Sequence, residues 1–224
     1  MNFLSALKGK LIVSCQALPD EPLHSSFIMG RMALAAKEGG ARAIRAQGAA
    51  DIREIKKITG LPVIGLIKRN YDDSSIYITP SMAEVDELLT TECEAIALDM
   101  TNRPRPNGEN VKDLLARIRE AGRLVLADIS TYEEGVAAAK MGADAISTTL
   151  SGYTPYSPKL EGPDVELVAK LAKELSVPVF AEGRINEPRD ISRVMEAGAY
   201  APIVGSAITR PQLITAKFAQ KLIP

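Results

Sequence analysis

The sequence predicts an α/β protein, a single-domain (β/α)8 barrel over residues 1–224, and three observations point there. Short apolar runs recur along the chain, segments with helical spacing separate them, and 224 residues shared among eight such units leave 28 for each. That length holds one strand, one helix and two loops. Strands separated by helices must run parallel, and eight units of this size favour closure into a barrel. The competing open, doubly wound sheet would be supported by a GxGxxG turn after the first strand, and the chain has none.

The first strand is Leu11-Ile12-Val13. A faint internal repeat supplies the others in two alternating series. One comprises Gly40-Ala41-Arg42-Ala43-Ile44, Cys93-Glu94-Ala95-Ile96, Gly142-Ala143-Asp144-Ala145-Ile146 and Gly198-Ala199-Tyr200-Ala201, each reading as a helix C-cap that leads into a buried strand. The second comprises Leu61-Pro62-Val63-Ile64, Arg123-Leu124-Val125-Leu126 and Val177-Pro178-Val179-Phe180, with two prolines at strand starts, where a missing N–H is tolerated. Amphipathic spacing is clearest at Val111, Leu114, Leu115 and Ile118, and at Val165, Val168, Leu171, Ala172 and Leu175. Further helices are expected over 25–38, 50–58, 81–91, 131–141, 187–196 and 211–222. Ser81 and Thr131 are N-caps with Glu84 and Glu134 at the third following position.

Composition narrows the chemistry. Lys plus Arg number 27 against 28 for Asp plus Glu, a net charge of −1, so no global field gathers nucleic acid. The single histidine, His24, excludes a His-rich metal site and a mechanism that needs two imidazoles, and reads as incidental. Carboxylates, lysine, hydroxyls and backbone remain. Cys15 and Cys93 have no metal-type spacing and read as buried, reduced thiols. Lys8, Gly9 and Lys10 interrupt the apolar run that a signal peptide would need before Cys15, and no stretch approaches the roughly 18 apolar residues of a membrane span. A soluble cytoplasmic protein without a membrane partner is expected.

In a barrel of this kind the active site lies at the carboxyl ends of the strands. The polar residues ending each run are therefore the candidates: Cys15-Gln16, Arg45-Ala46-Gln47, Lys68-Arg69, Asp99, Asp128, Ser147-Thr148-Thr149, Glu182-Gly183-Arg184 and Gly205-Ser206. Charged residues also end strands merely because water begins there, but an entire ring of amides, cations and carboxylates is more than packing selects. Gly183 and Gly205 directly follow the last two strands. In many barrels these loops, with a short extra helix, hold a phosphate on backbone N–H groups. Gly183, Gly205 and Ser206 are thus candidate phosphate ligands, and Arg210 adds a charged donor.

Gly65-Leu66-Ile67-Lys68-Arg69-Asn70-Tyr71, Ala127-Asp128-Ile129-Ser130, Ala181-Glu182-Gly183-Arg184-Ile185 and Val204-Gly205-Ser206-Ala207-Ile208-Thr209-Arg210-Pro211 together carry a likeness. With Ser14-Cys15-Gln16-Ala17, Ala43-Ile44-Arg45-Ala46, Asp99-Met100-Thr101 and Arg103-Pro104, the chain resembles the bacterial N-acylglucosamine-6-phosphate 2-epimerases, also called N-acetylmannosamine-6-phosphate 2-epimerases, along essentially its whole length. Asn70 departs from the family motif, where Asp is expected, and touches local loop contacts only. The resemblance implies interconversion of N-acetylmannosamine 6-phosphate and N-acetylglucosamine 6-phosphate in sialic acid and amino sugar catabolism. The substrate would be a phosphorylated N-acyl amino sugar, with no cofactor and no metal.

The chemistry can be set against the residues. In the open-chain sugar the C2 proton lies alpha to the C1 aldehyde, so its removal gives an enolate. Lys68 can be the base if burial and a neighbouring Arg69 or Arg45 disfavour its ammonium form, and the resemblance assigns it that role too. Glu182 would handle a second proton, at the other face of C2 or at the sugar oxygens. Gln16 and Arg45 could hydrogen-bond hydroxyls, the N-acetyl carbonyl or the enolate oxygen, while Asp128 could orient a hydroxyl or Lys68 itself. Arg184 is a further substrate contact. Tyr153, in the loop after the sixth strand, serves as lid or substrate contact, or simply packs that loop.

Three rivals remain. A metal-dependent pentose-phosphate epimerase needs several histidines. A synthase of thiamine or tryptophan biosynthesis shares the phosphate barrel, and a catalytically silent barrel would only bind a sugar phosphate. The apolar C-terminal segment, with Leu213, Ile214, Phe218, Leu222 and Ile223, offers more hydrophobic surface than one covering face needs, and a homodimer is expected.

Overall fold

The computed structural model describes residues 3–222, so Ile223 of the expected C-terminal surface lies outside them. Eight strands form a closed, all-parallel ring in chain order: β1 (Ile12–Cys15), β2 (Ala43–Gln47), β3 (Val63–Leu66), β4 (Ala95–Asp99), β5 (Leu124–Asp128), β6 (Ala145–Ser147), β7 (Val179–Glu182) and β8 (Ala201–Val204). The ring closes where Ile12 and Val13 of β1 pair with Ile203 and Val204 of β8. The eight expected strands are all present.

Alternation along each strand sorts its side chains into two cores. Ile12, Ala43, Ile64, Leu66, Ala97, Leu126, Phe180 and Ile203 point inward and fill the barrel. Their neighbours Val13, Ile44, Val63, Ile96, Val125 and Ile146 point outward and meet the helices. This parity decides which strand-end residues reach the mouth. Cys15 packs outward in the helix layer, where burial pushes its thiol pKa up to about 12, so it behaves as a small apolar residue.

The covering helices are α2 (Ser26–Glu38), α3 (Ala49–Thr59), α4 (Met82–Leu89), α5 (Val111–Glu120), α6 (Tyr132–Met141), α7 (Val165–Glu174) and α8 (Pro188–Glu196). Ser81 and Thr131 open α4 and α6 with capping boxes closed by Glu84 and Glu134, as the spacing predicts. Gly142 ends α6 at φ 97°, a left-handed conformation that a side chain would resist.

Two features were not anticipated. Before β1, a helix α1 (Phe3–Leu7) buries Leu7 in the barrel interior and packs Phe3 and Leu4 there, plugging the end opposite the active mouth. After β3, the chain rises as an antiparallel ribbon in which Lys68 bridges Ile78 and Tyr71 bridges Ser74. After β8 the expected extra turn is present as α9 (Ser206–Thr209), and the expected C-terminal helix follows as α10 (Pro211–Ala219), which buries none of its residues. Phe218 is 74% and Leu222 87% exposed. No helix among the described residues is long and apolar enough to cross a membrane.

Candidate active site

A cavity of about 320 Å3 opens at the carboxyl ends of the strands. That is the size of a small-ligand pocket. Five strands contribute by parity: Ser14 lies on β1 and Gln16 just past it, Arg45 lies on β2, Lys68 continues the inward row of Ile64 and Leu66, Glu182 ends β7, and Gly205 follows Ile203 of β8. β3 and β7 are four strands apart in the ring of eight, so Lys68 and Glu182 face one another across the mouth.

Arg45 organises the floor. It is only 2% exposed, and it donates through Nη1 to Glu182 Oε1 at 3.2 Å and through Nη2 to Asp128 Oδ2. Thr149 Oγ1 ties the same two carboxylates from the other side, at 2.7 Å to Asp128 and 2.9 Å to Glu182. Asp128 is fully buried and does not line the cavity. Its carboxylate is taken up by Arg45 and Thr149 instead of reaching a substrate hydroxyl or Lys68. Burial raises its pKa against the pull of Arg45, and the charge of Glu182 raises it further. Of the three buried side-chain polar atoms without a partner among the described residues, two lie here, Gln16 Oε1 and Arg45 Nε, while Gln16 Nε2 donates to Ser14 Oγ at 2.7 Å.

The amine of Lys68 is strongly shifted. Burial, then the charges of Arg45 and Arg210, push its pKa down to about 8, against the opposing pull of Glu182 and Glu21. Burial and Arg45 are the causes anticipated, but Arg69 is not one of them. Adjacent residues on an extended chain point to opposite sides, and Arg69 turns outward to pair with Glu84 and, at 3.1 Å, with Glu87. Arg210, 142 positions away in sequence, takes its place.

The glycine end of the cavity lies beside β7 and β8. Gly183 has φ 104°, and the first turn of α9 begins at Ser206, where N–H groups have no intrahelical acceptor. Arg210 lines the cavity here with its guanidinium already paired to Glu21, at 2.9 Å from Nε and 3.0 Å from Nη2. Arg184 also lines it, but its guanidinium turns to main-chain oxygens of the β6–α7 loop, Gly162 O at 2.9 Å and Ser151 O at 2.5 Å. It lies 5.6 Å from the Tyr153 ring centroid, so Arg184 anchors the loop that carries Tyr153 over the mouth. Tyr153 is 55% exposed and lines the cavity.

Tyr77 and Ile78 also line the cavity beside Lys68 and were absent from the expected set. They come from the returning limb of the ribbon, whose alternating run, Ile76-Tyr77-Ile78, is short and outside the eight strands. Ser14 and Thr149 were legible from parity, being two residues from Gln16 and Ser147. Among the described residues no cluster of three His, Cys, Asp or Glu side chains is placed to hold a metal ion.

Residues 29–223 match the model of a family described as putative N-acetylmannosamine-6-phosphate epimerase. A Clostridium perfringens protein named putative N-acetylmannosamine-6-phosphate 2-epimerase is 64% identical over 219 residues, covering 98% of this chain and 99% of that one. A protein of the same name from Caldanaerobacter subterraneus is 54% identical over 97% of this chain and 93% of its own length. The solved structure of the N-acetylmannosamine-6-phosphate 2-epimerase from Clostridium perfringens matches with a TM-score of 0.97 at 63% identity, covering 98% of this chain and 96% of that one. Thiamine phosphate pyrophosphorylase from Pyrococcus furiosus matches at a TM-score of 0.61 and 20% identity, over the full length of both chains, which shows a shared fold alone.

Proposed function

We infer the reaction and its residue roles from one premise: this chain belongs to the N-acetylmannosamine-6-phosphate epimerase family. It inverts C2 of N-acetylmannosamine 6-phosphate to give N-acetylglucosamine 6-phosphate. The observation that carries the residue assignment is Lys68, an amine brought to about 8 inside a cavity that also holds an arginine, an opposed carboxylate and a glycine-rich anion site.

The substrate phosphate binds at Gly183, Gly205 and Ser206, with Arg210 as its charged donor. Neutral Lys68 removes the C2 proton of the open-chain sugar. The electrons move into the C1–C2 bond, and the C1 oxygen takes the negative charge. Arg45 Nε, the unpaired donor, is the group nearest in kind to what that enolate oxygen needs, and donates to it. Gln16 Oε1, the unpaired acceptor, takes a hydroxyl or amide proton of the sugar. Asp128 works indirectly, fixing Arg45. Glu182 handles the second proton transfer from the opposite side, held in place by Arg45 and Thr149. Tyr153 covers the sugar.

A homodimer is also part of this reading, because the exposed apolar side of α10 needs a partner surface. The compartment is cytoplasmic, in keeping with two buried, unpaired thiols.

The test incubates the protein with N-acetylmannosamine 6-phosphate in D2O and follows C2 by NMR. Epimerisation with deuterium entering C2 is expected. Binding without exchange or turnover would instead leave a silent sugar-phosphate barrel. Unphosphorylated N-acetylmannosamine is expected to bind much more weakly, and equal affinity would remove the phosphate site from the β7 and β8 loops.

A further inference from the structure

One buried charged cluster lies outside the chemistry described above. Arg103, Arg105 and Asp99, at the end of β4 and in the β4–α5 loop, are all nearly buried and none lines the cavity. Their hydrogen bonds converge on the ribbon that carries Lys68.

Lys68 lies beyond the last residue of β3, and the barrel reaches it through one hydrogen bond, from Lys68 N to Gln47 Oε1 at the end of β2, at 3.1 Å. It is otherwise held by the return limb of its own ribbon. Thr79 N donates to Ile67 O at 2.7 Å, Arg69 N donates to Tyr77 O at 3.0 Å, and Lys68 bridges Ile78 between them. That limb is fastened in turn to β4 and its loop. Thr79 Oγ1 donates to Ala97 O at 2.7 Å, and Asp99 N donates to Ile78 O at 3.3 Å. The guanidinium of Arg105 donates to three main-chain carbonyls: Thr79 O at 3.2 Å, Pro80 O at 2.8 Å and Asp99 O. Arg103 ties the tip, with Nη1 on Ser75 O at 2.9 Å and Nη2 on Asp99 Oδ2 at 2.6 Å.

Two features of this clamp are costly. A buried guanidinium is directed to neutral carbonyls, and Thr79, a β-branched residue, is held at φ 44°. Left-handed backbone at a residue other than glycine persists only where its surroundings over-determine it, and such positions cluster at functional sites. The limb so fixed supplies Tyr77 and Ile78, the cavity wall beside the Lys68 amine.

We propose that Arg105 is a positioning residue for the epimerisation: by clamping the return limb at Thr79 and Pro80 it fixes the place and the burial of Lys68. This rests on the reading of Lys68 as the base. A planar fork that reaches three carbonyls on two segments cannot be replaced by an ammonium, which presents a single point of charge.

The test compares Arg105→Met and Arg105→Lys with the parent enzyme in melting temperature, kcat, KM and the pH midpoint of kcat/KM. In the Met variant kcat is expected to fall about ten- to a hundredfold, because small displacements of a reacting group cost that much. KM, set mainly at the phosphate end, changes little. The pH midpoint moves upward as water reaches Lys68, while Arg45, Arg210, Glu182 and Glu21, the charged groups facing it, stay unaltered. The Lys variant recovers part of both effects.

A lower melting temperature with unchanged kcat and pH midpoint would reduce Arg105 to a structural role and overturn the proposal. If the Met variant does not fold, the Lys variant decides by the same criterion. Lys68→Ala separates the two readings. If it retains C2 exchange, the assignment of the base fails; if it is inactive while the Arg105 variants behave like the parent, only the clamp fails.

Discussion

Titrating the enzyme tests the base directly. Lys68 is moved from an ordinary 10.5 to about 8. At pH 7.5 a lysine at 10.5 is neutral in about one molecule in a thousand, whereas one at 8 is neutral in about a quarter. The burial and the two facing arginines therefore provide a factor of about two hundred in competent enzyme, equivalent to about 3 kcal/mol of barrier. Because the reactive form is the deprotonated one, kcat/KM for N-acetylmannosamine 6-phosphate is expected to rise tenfold per pH unit at low pH and to level off above about 8. The substrate phosphate titrates near pH 6, so it bends the profile separately, about two units lower. Initial rates between pH 5.5 and pH 9.5, with circular dichroism at each pH to confirm folding, are sufficient. A midpoint near 10, or a profile flat through 8, would refute Lys68 as a base tuned by burial.

Three further outcomes are expected. Arg210→Gln removes a cation facing Lys68, so its pH midpoint should move upward while affinity for inorganic phosphate falls; an unmoved midpoint would show that Arg210 does not act on Lys68. Glu182→Gln should lose turnover by about a hundredfold or more, while Lys68 continues to wash the C2 hydrogen of the substrate into D2O. Complete loss of exchange in that variant would place Glu182 at ring opening, ahead of the C2 chemistry. Lys68→Met should inactivate yet stabilise. The folded pKa lies below the unfolded one, so the cost is fully present below pH 8 and fades as pH rises from about 8 towards 10.5. Removing it is worth about 2–3 kcal/mol near pH 7, read as a higher melting temperature whose gain shrinks at pH 10.

The barrel was legible because its strands and helices are written in local periodicities, and the turn glycines and capping boxes of α4 and α6 mark the boundaries. Strand-end chemistry was legible for the same reason: a residue that ends an inward row must reach the mouth, as Lys68 and Glu182 do. Pairings across the ring were not. Arg69 is adjacent to Lys68 in sequence yet faces Glu84 and Glu87, whereas Arg210, far along the chain, faces Lys68. Asp128 read as a substrate contact because it ends β5, but a guanidinium from β2 occupies it. The return limb carrying Tyr77 and Ile78 alternates over only Ile76-Tyr77-Ile78, too short a run to place it, and its long-range hydrogen bonds fix where it lies.

The arrangement around Arg45 shows why two carboxylates share one guanidinium. In the proposed mechanism, proton transfer from C2 to Lys68 would turn a neutral pair into an ammonium and an enolate, and a water-poor cavity penalises that separation unless oriented charge is already present. Arg45 cannot rotate to meet the enolate, because Asp128 and Glu182 hold both of its terminal nitrogens. Its Nε is the one guanidinium nitrogen left without a protein partner. The two carboxylates thus fix the plane of the guanidinium before substrate arrives. The nascent ammonium on Lys68, depressed by Arg45 and Arg210, is favoured by Glu182 and Glu21. The enolate thus meets Arg45 and the ammonium meets Glu21, and Glu182, where it carries the proton that completes the inversion, adds to the second only when ionised. Asp128→Asn would leave Arg45 present but free to turn. It should lower kcat far more than it raises KM, and an equal effect on both would mean that Arg45 serves binding alone.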